Sequence, residues 1–173
     1  MHVRRLIALA GAAVLTLSLQ PVAATVTSPT CLGRQATVVG TTGPDVLHGT
    51  AGVDVIVARG GADTVYGAGR RDFICAGAGP DKVYGGPGGD RVNGGPGHDR
   101  LHGGRGVDLM HGRGGDDYLD GGAHDDWLYG NHGDDHIDGG LGADHMYGGP
   151  GHDTSHHSDA DHHNDGHHTG QHH

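Results

Sequence analysis

Residues 40–156 are thirteen copies of a nine-residue unit, joined without an insertion or a deletion, and the sixth place of every copy is aspartate. The thirteen are Asp45, Asp54, Asp63, Asp72, Asp81, Asp90, Asp99, Asp108, Asp117, Asp126, Asp135, Asp144 and Asp153. Repeats of this length indicate a solenoid, in which each unit finds its core only by stacking on others. Nothing in a solvated loop requires such a column of carboxylates. All 21 acidic residues of the chain are Asp and none is Glu, so the column uses a short side chain held close to the backbone. A short oxygen donor in a glycine turn suits a hard cation.

The other places of the unit point the same way. Glycine fills the first place in eleven copies, Ala58 and Ala76 excepted, and the fourth in eleven, Arg70 and His124 excepted. Its recurrence implies backbone angles that side chains resist. The eighth place is apolar in twelve copies, from Leu47 and Ile56 through Leu101 and Met110 to Ile137 and Met146, and only Ser155 breaks the column. Each copy therefore reads as a six-residue turn followed by a three-residue strand, whose middle side chain points inward and whose neighbours point outward. With 37 Gly, one Phe and one Trp, the chain has too little for an ordinary globular core. Bound metal is expected to supply part of the missing stability.

Residues 1–24 read as a cleaved secretory signal: Arg4 and Arg5, then an apolar run over residues 6–19, then Val22-Ala23-Ala24 before the cut. The run is short for a membrane span, so the chain is expected to be secreted and extracellular, with no membrane span after cleavage following Ala24. The formal charge is −10 and becomes more negative once the two arginines are removed, which argues against nucleic acid as a partner. Residues 25–39 are expected to cap the repeats. Cys31 and Cys75 are the only cysteines, and an even pair in an oxidising compartment argues for a disulfide that ties this segment to the first coils.

The unit approximates GGxGxDxUx, with U a large apolar residue. Good matches are Gly94-Gly95-Pro96-Gly97-His98-Asp99-Arg100-Leu101-His102 and Gly139-Gly140-Leu141-Gly142-Ala143-Asp144-His145-Met146-Tyr147. The chain resembles the hemolysin-type, or RTX, calcium-binding nonapeptide repeat family over 117 of its 173 residues. Its N-terminal Cys31-Leu32-Gly33-Arg34 with Cys75 is also similar to small secreted actinobacterial members. The resemblance implies an all-β fold, a right-handed parallel β-roll solenoid in which two nonapeptides make one coil and copies n and n+2 stack on the same edge. It also implies calcium held between stacked turns by the thirteen sixth-place aspartates and by loop carbonyls. Asp81 would then share an ion with Asp99, and Asp99 with Asp117, while Asp90, Asp108, Asp126 and Asp144 line the other edge. Thirteen loops allow at most about eleven such pairings.

Elementary electrostatics supports that arrangement. Stacked strands lie about 4.8 Å apart, and two carboxylates at about 5 Å repel by about 0.8 kcal/mol in water and about 3 kcal/mol at an effective dielectric of 20. A divalent ion between them reverses the sign. Calcium accepts many oxygens in flexible geometry, whereas magnesium demands a tight octahedron.

Several places depart from the unit. Ala58-Arg59 and Gly67-Ala68-Gly69-Arg70-Arg71 are expected to alter the turns before Asp63 and Asp72, with the arginines beside Asp72 standing in for an ion. His124 is expected to weaken the turn before Asp126, and the first and last copies to be caps with partial sites. Asp116, Asp120, Asp125, Asp134 and Asp138 read as a solvated face. An EF-hand is excluded because its loop ends on a bidentate Glu.

Residues 157–173 form a polar tail with His162/His163, His167/His168 and His172/His173, continuing the pair His156/His157. Such a tail is expected to be disordered, and spaced histidine pairs can gather zinc, nickel or copper. No nucleophile elbow or oxyanion framework accompanies Ser155, and about 15 residues between signal and repeats leave no room for a catalytic domain, so no enzyme activity is expected. Two functions of different class follow. One is a secreted calcium-binding module that folds outside the cell as a structural or surface-interaction element, its protein or surface partner open; the other is an extracytoplasmic transition-metal buffer acting through the tail.

Overall fold

The structure is a computed structural model, and it describes residues 28–157. The proposed signal segment, residues 1–24, and the histidine pairs beyond residue 157 lie outside the described residues. Within them every regular element is a strand, and no helix occurs.

Two seven-stranded parallel sheets face each other. After a short antiparallel hairpin, β1 (Thr30–Cys31) and β2 (Arg34–Gln35), the chain enters the repeats and alternates strictly between the sheets. One sheet, here the odd sheet, holds β3 (Val38–Val39), β5 (Val55–Gly60), β7 (Phe73–Ala78), β9 (Arg91–Pro96), β11 (Leu109–Gly114), β13 (Trp127–His132) and β15 (His145–Tyr147). The even sheet holds β4 (Val46–His48), β6 (Thr64–Tyr66), β8 (Lys82–Pro87), β10 (Arg100–Arg105), β12 (Tyr118–Ala123), β14 (His136–Leu141) and β16 (Thr154–His156). Each strand pairs with the strand two further on in an eighteen-residue register, as in Val83↔Leu101↔Leu119. Two nonapeptides therefore make one coil, giving the parallel β-solenoid that the repeat length implied.

The strands differ from the three-residue expectation. In the middle of the roll they are six residues long, because the first three places of the following copy also join the ladder: Gly86 pairs with Gly104 and Pro87 with Arg105. The true turn is only the fourth to sixth places. Glycine-rich backbone has no side-chain signal for strand, so its contribution to the sheet cannot be seen in an apolar pattern.

Inward-facing side chains form a single file between the sheets. Ile56, Val65, Ile74, Val83, Val92, Leu101, Met110, Leu119, Leu128 and Ile137 are buried, with Ala58 and Ala76 beside them, and Val38, Leu47 and Met146 partly close the ends. The seventh and ninth places point outward, as period-two geometry requires.

The N-terminal segment adds to this frame in two ways. Strand β3 extends the odd sheet by pairing with β5, and Val55 is held through its N–H donating to Thr37 Oγ1 at 2.9 Å. The hairpin instead lies against the outer face, where Cys31, Val55, Val57 and Phe73 make a second apolar cluster. The expected disulfide is present: Cys31 and Cys75 are bonded, with Cα atoms 5.7 Å apart.

Candidate metal ladder

The sixth-place aspartates stand where each chain turn crosses from one sheet to the other, and all eleven n to n+2 pairings occur. In each, one carboxylate oxygen, Oδ1, accepts a hydrogen bond from the backbone N–H of the aspartate one coil earlier. Asp63, Asp81, Asp99, Asp117, Asp135 and Asp153 do so along one edge, onto Asp45, Asp63, Asp81, Asp99, Asp117 and Asp135, at 2.8–3.0 Å. Along the other edge Asp72, Asp90, Asp108, Asp126 and Asp144 bond back to Asp54, Asp72, Asp90, Asp108 and Asp126 at 2.6–2.8 Å.

The second oxygen has a different fate. At Asp63, Asp72, Asp81, Asp90, Asp99, Asp108, Asp117, Asp126 and Asp135, Oδ2 is buried and accepts no hydrogen bond. At Asp72, Asp90, Asp99, Asp108, Asp117 and Asp126 it faces the first-place glycine of its own copy and a carbonyl of the next coil, whereas the first place is Ala58 before Asp63 and Ala76 before Asp81. A Cβ added to Gly85 would lie 2.5 Å from Asp90 Oδ2 and 2.6 Å from the Gly103 carbonyl, and one added to Gly121 would lie 2.5 Å from both Asp126 Oδ2 and the Gly139 carbonyl. In these six copies carboxylate and carbonyl oxygens thus converge on a space that glycine leaves clear. First-place glycine is required for this clearance and not for an unusual angle. Positive φ falls at the fourth place, as at Gly106 (125°), and at the second, as at Gly104 (112°). The second place keeps that conformation even as Arg59 (84°), Ala68 (76°), Arg113 (92°) and Asn131 (79°).

Burying unpaired carboxylates disfavours their charge. Burial pushes Asp99 and Asp117 up to about 7 and Asp108 up to about 8, with the bonded N–H pulling back and the neighbouring ladder aspartates adding to the rise. Asp72, Asp81 and Asp126 rise to about 6, and Asp63, Asp90 and Asp135 are also raised, all chiefly through burial. Ionising such a ladder places neighbouring charges in a buried array, which a cation between them would make tolerable.

The departures from the repeat behave differently from expectation. Arg59 and His124 adopt positive φ, so the turns before Asp63 and Asp126 keep their form, and both aspartates still cap the preceding coil. The arginine charge acts one coil further on than its position suggests: Arg71 draws Asp90 downward, against its burial, and is not among the influences on Asp72. In the first two copies threonine takes the place of an ion. Asp45 Oδ2 accepts from Thr41 N at 2.6 Å and Thr41 Oγ1 at 2.9 Å, and Asp54 Oδ2 accepts from Thr50 in the same way. At the other end Asp144 Oδ2 lies 3.9 Å from His157 Nδ1.

The remaining aspartates lie away from the buried cradle. Asp116, Asp125 and Asp134 accept from Asp134 N, Ala143 N and His152 N one coil on, on the exposed surface. Asp120 pairs with His102 at 3.1 Å, and Asp138 accepts from Gly140 N at 3.1 Å. Among the described residues no three His, Cys, Asp or Glu side chains converge, so any cation in the ladder would draw its further ligands from backbone carbonyls. That mixture of carboxylate and carbonyl oxygen is a donor set for a hard, flexible ion.

The repeat model of the RTX calcium-binding nonapeptide family matches the chain four times, at residues 39–74, 66–101, 93–123 and 120–154. The chain belongs to the RTX repeat family. No curated protein sequence matches it significantly. Membership makes it a calcium-binding repeat protein, and the orphaned Oδ2 atoms with their glycine cradles fit that ion. The RTX roll is a structural calcium-binding fold, and its multiple stacked turns allow multiple ions.

One outer-face feature has no counterpart in the expectations from sequence. Rings at the seventh and ninth places stack along the roll: His48, Tyr66, Tyr84 and His102 succeed one another at 4.8–5.1 Å on the even sheet. On the odd sheet His111, Tyr129 and Tyr147 do likewise, and Trp127 lies on His145 at 3.9 Å. The signal was an eighteen-residue recurrence of Tyr and His at the ninth place, visible only once alternate copies are aligned.

Proposed function

We propose that this protein is a secreted module whose roll folds when calcium reaches it outside the cell, and that the folded roll serves as a structural or surface-interaction element. The observation that carries this reading is the run of buried Oδ2 atoms without a hydrogen-bond donor, set at Asp72, Asp90, Asp99, Asp108, Asp117 and Asp126 against a glycine and a carbonyl of the next coil. Bound calcium would supply the positive charge that lets adjacent buried carboxylates ionise together. Asp63 to Asp135 would hold it, with the glycine carbonyls, while Asp45 and Asp54 close the N-terminal end through threonine. Asp144 and Asp153 belong to the terminal coil, where the Asp144 side chain is buried, 3.9 Å from His157 Nδ1, and Asp153 is half-buried. The weak affinities expected of extracellular calcium modules match a medium rich in the ion and a cytoplasm poor in it.

Far-UV circular dichroism of the chain from residue 25 onward tests this directly, first in chelator and then through a calcium titration with magnesium as control. A cooperative gain of β signal with calcium alone is expected, because ion binding to the folded form alone stabilises it by mass action. A full β signal in chelator at neutral pH, unmoved by calcium, would sink the proposal.

A further inference from the structure

The geometry points to a binding site for a planar aromatic anion on the outer face of the odd sheet, in the step left by Leu109 between Arg91 and Trp127. These three residues occupy the seventh place of adjacent strands, in register across β9, β11 and β13. The row runs Phe73, Arg91, Leu109, Trp127, His145. Beyond Phe73 the row continues to Val55, buried beside Cys31; between Phe73 and His145 Leu109 is the one member with neither a ring nor a guanidinium, and a groove of about 420 Å³ opens at this point. The volume falls in the range of small-molecule sites.

The shape of the gap selects a flat ligand. Strands two apart are separated by about 9.6 Å, so one ring standing over Leu109 has about 4.8 Å to Arg91 on one side and to Trp127 on the other. That is the interval at which rings already stack on this face, as Tyr129 does with Tyr147 at 5.0 Å. Trp127 has one indole face on His145, with planes 5° apart, and its other face turns toward the step. The same row already holds a ring against guanidinium groups: Arg34 lies 4.1 Å and Arg91 6.0 Å from the Phe73 ring centroid. A ring seated over Leu109 would continue the ladder without a break, stacked on indole and covered by a guanidinium.

The charge of the gap selects an anion. Arg71 and Arg91 both line the groove, both are exposed, and neither guanidinium makes a hydrogen bond or an ion pair among the described residues. Two exposed guanidiniums in one groove of a chain with net charge −10 are a local concentration of positive charge, although Arg71 also acts on Asp90 and Arg91 on the Phe73 ring. Asp90 and Asp108 reach the groove too, but each is about 1 % exposed or less, with its carboxylate turned into the ladder. The exposed side of the groove is completed by Val107, 56 % exposed, and Tyr129. An aromatic carboxylate satisfies every wall: its ring meets Trp127, Leu109 and Val107, and its carboxylate accepts from Arg71 or Arg91.

Trp127 is the sole tryptophan, so it reports on its own site. Titrating 4-nitrobenzoate into the full chain in calcium is expected to quench Trp127 emission along a saturable curve. Neutral 4-nitrobenzyl alcohol should give only the linear quenching of random collision, and cyclohexanecarboxylate should not compete. Arg91→Gln and Arg71→Gln are each expected to weaken binding by about tenfold, and Leu109→Phe, which fills the step, to abolish saturation while the calcium-induced β signal is retained. Linear quenching by the nitrobenzoate overturns the inference. So does saturable quenching that Arg91→Gln and Leu109→Phe leave unchanged, or competition by glucuronate as strong as that by benzoate, which would make the site one for sugar acids. The β signal in the same samples reports separately on calcium-dependent folding.

Discussion

From Asp63 to Asp135 each ladder aspartate divides its carboxylate between two tasks. Oδ1 caps an amide of the preceding coil, which any short acceptor can do; Oδ2 stays buried and unpaired, which only a cation makes tolerable. Asp108 shows the division well, because its Oδ1 accepts from Asp90 N at 2.6 Å, its Oδ2 is an orphan, and burial pushes it up to about 8. Asp108→Asn keeps an oxygen for the amide and removes the charge. The expected result is a calcium midpoint raised severalfold together with a metal-free roll that is no less stable at pH 8, read by circular dichroism. A calcium midpoint unmoved in this variant would show that the central ladder is not where calcium acts. Gly103 is the complementary position: an added Cβ would meet Asp108 Oδ2 and, at 2.7 Å, the Gly121 carbonyl. Gly103→Ala is therefore expected to raise the midpoint as well, through lost space and not lost charge.

The strand is the level at which the sequence was easiest and hardest to read. The eighth-place file and the Cys31–Cys75 bond follow from apolarity and cysteine count, the eighteen-residue coil from the family resemblance, and all three are present. The added half of each strand was hidden, because Gly86-Pro87 carries no apolar alternation and owes its place in the sheet to backbone bonding alone. The threonine caps at Asp45 and Asp54 were hidden for a related reason: Thr41 and Thr50 stand at a variable place, and their meaning depends on which carboxylate oxygen lies within reach. Since each strand from β8 to β14 contributes one buried apolar side chain, the core there has no redundancy. Leu119→Ala in β12 is expected to cost about 2–5 kcal/mol in saturating calcium. Met146→Ala in β15, where the side chain is only partly buried, should cost less. Urea unfolding of both variants in calcium checks the order, and equal costs would mean that the coils do not depend on a continuous file of contacts.

Taken as one body, the roll is an electrostatic device with a pH sign opposite to that of most acidic proteins. In an unfolded chain an Asp titrates near 3.8, while in the metal-free roll Asp99, Asp108 and Asp117 are pushed up to about 7, 8 and 7, first by burial and further by their ladder neighbours. The folded form therefore holds protons more tightly than the unfolded form. Its stability from these groups is fully present below about pH 4 and is lost as pH rises through 6 to 8. With calcium the dependence inverts, because the ion requires the ionised carboxylates and competes with protons for them. Thermal unfolding in chelator should thus give a higher midpoint at pH 5 than at pH 8, and the calcium needed for half folding should rise as pH falls from 8 to 6. Outward histidines gain charge in part of this window, so the comparison includes Asp99→Asn with Asp108→Asn, in which the chelator dependence should flatten while the histidines are unchanged. A metal-free roll that grows more stable toward pH 8 would mean that its carboxylates are not buried as a ladder, and the need for a cation would lose its physical basis.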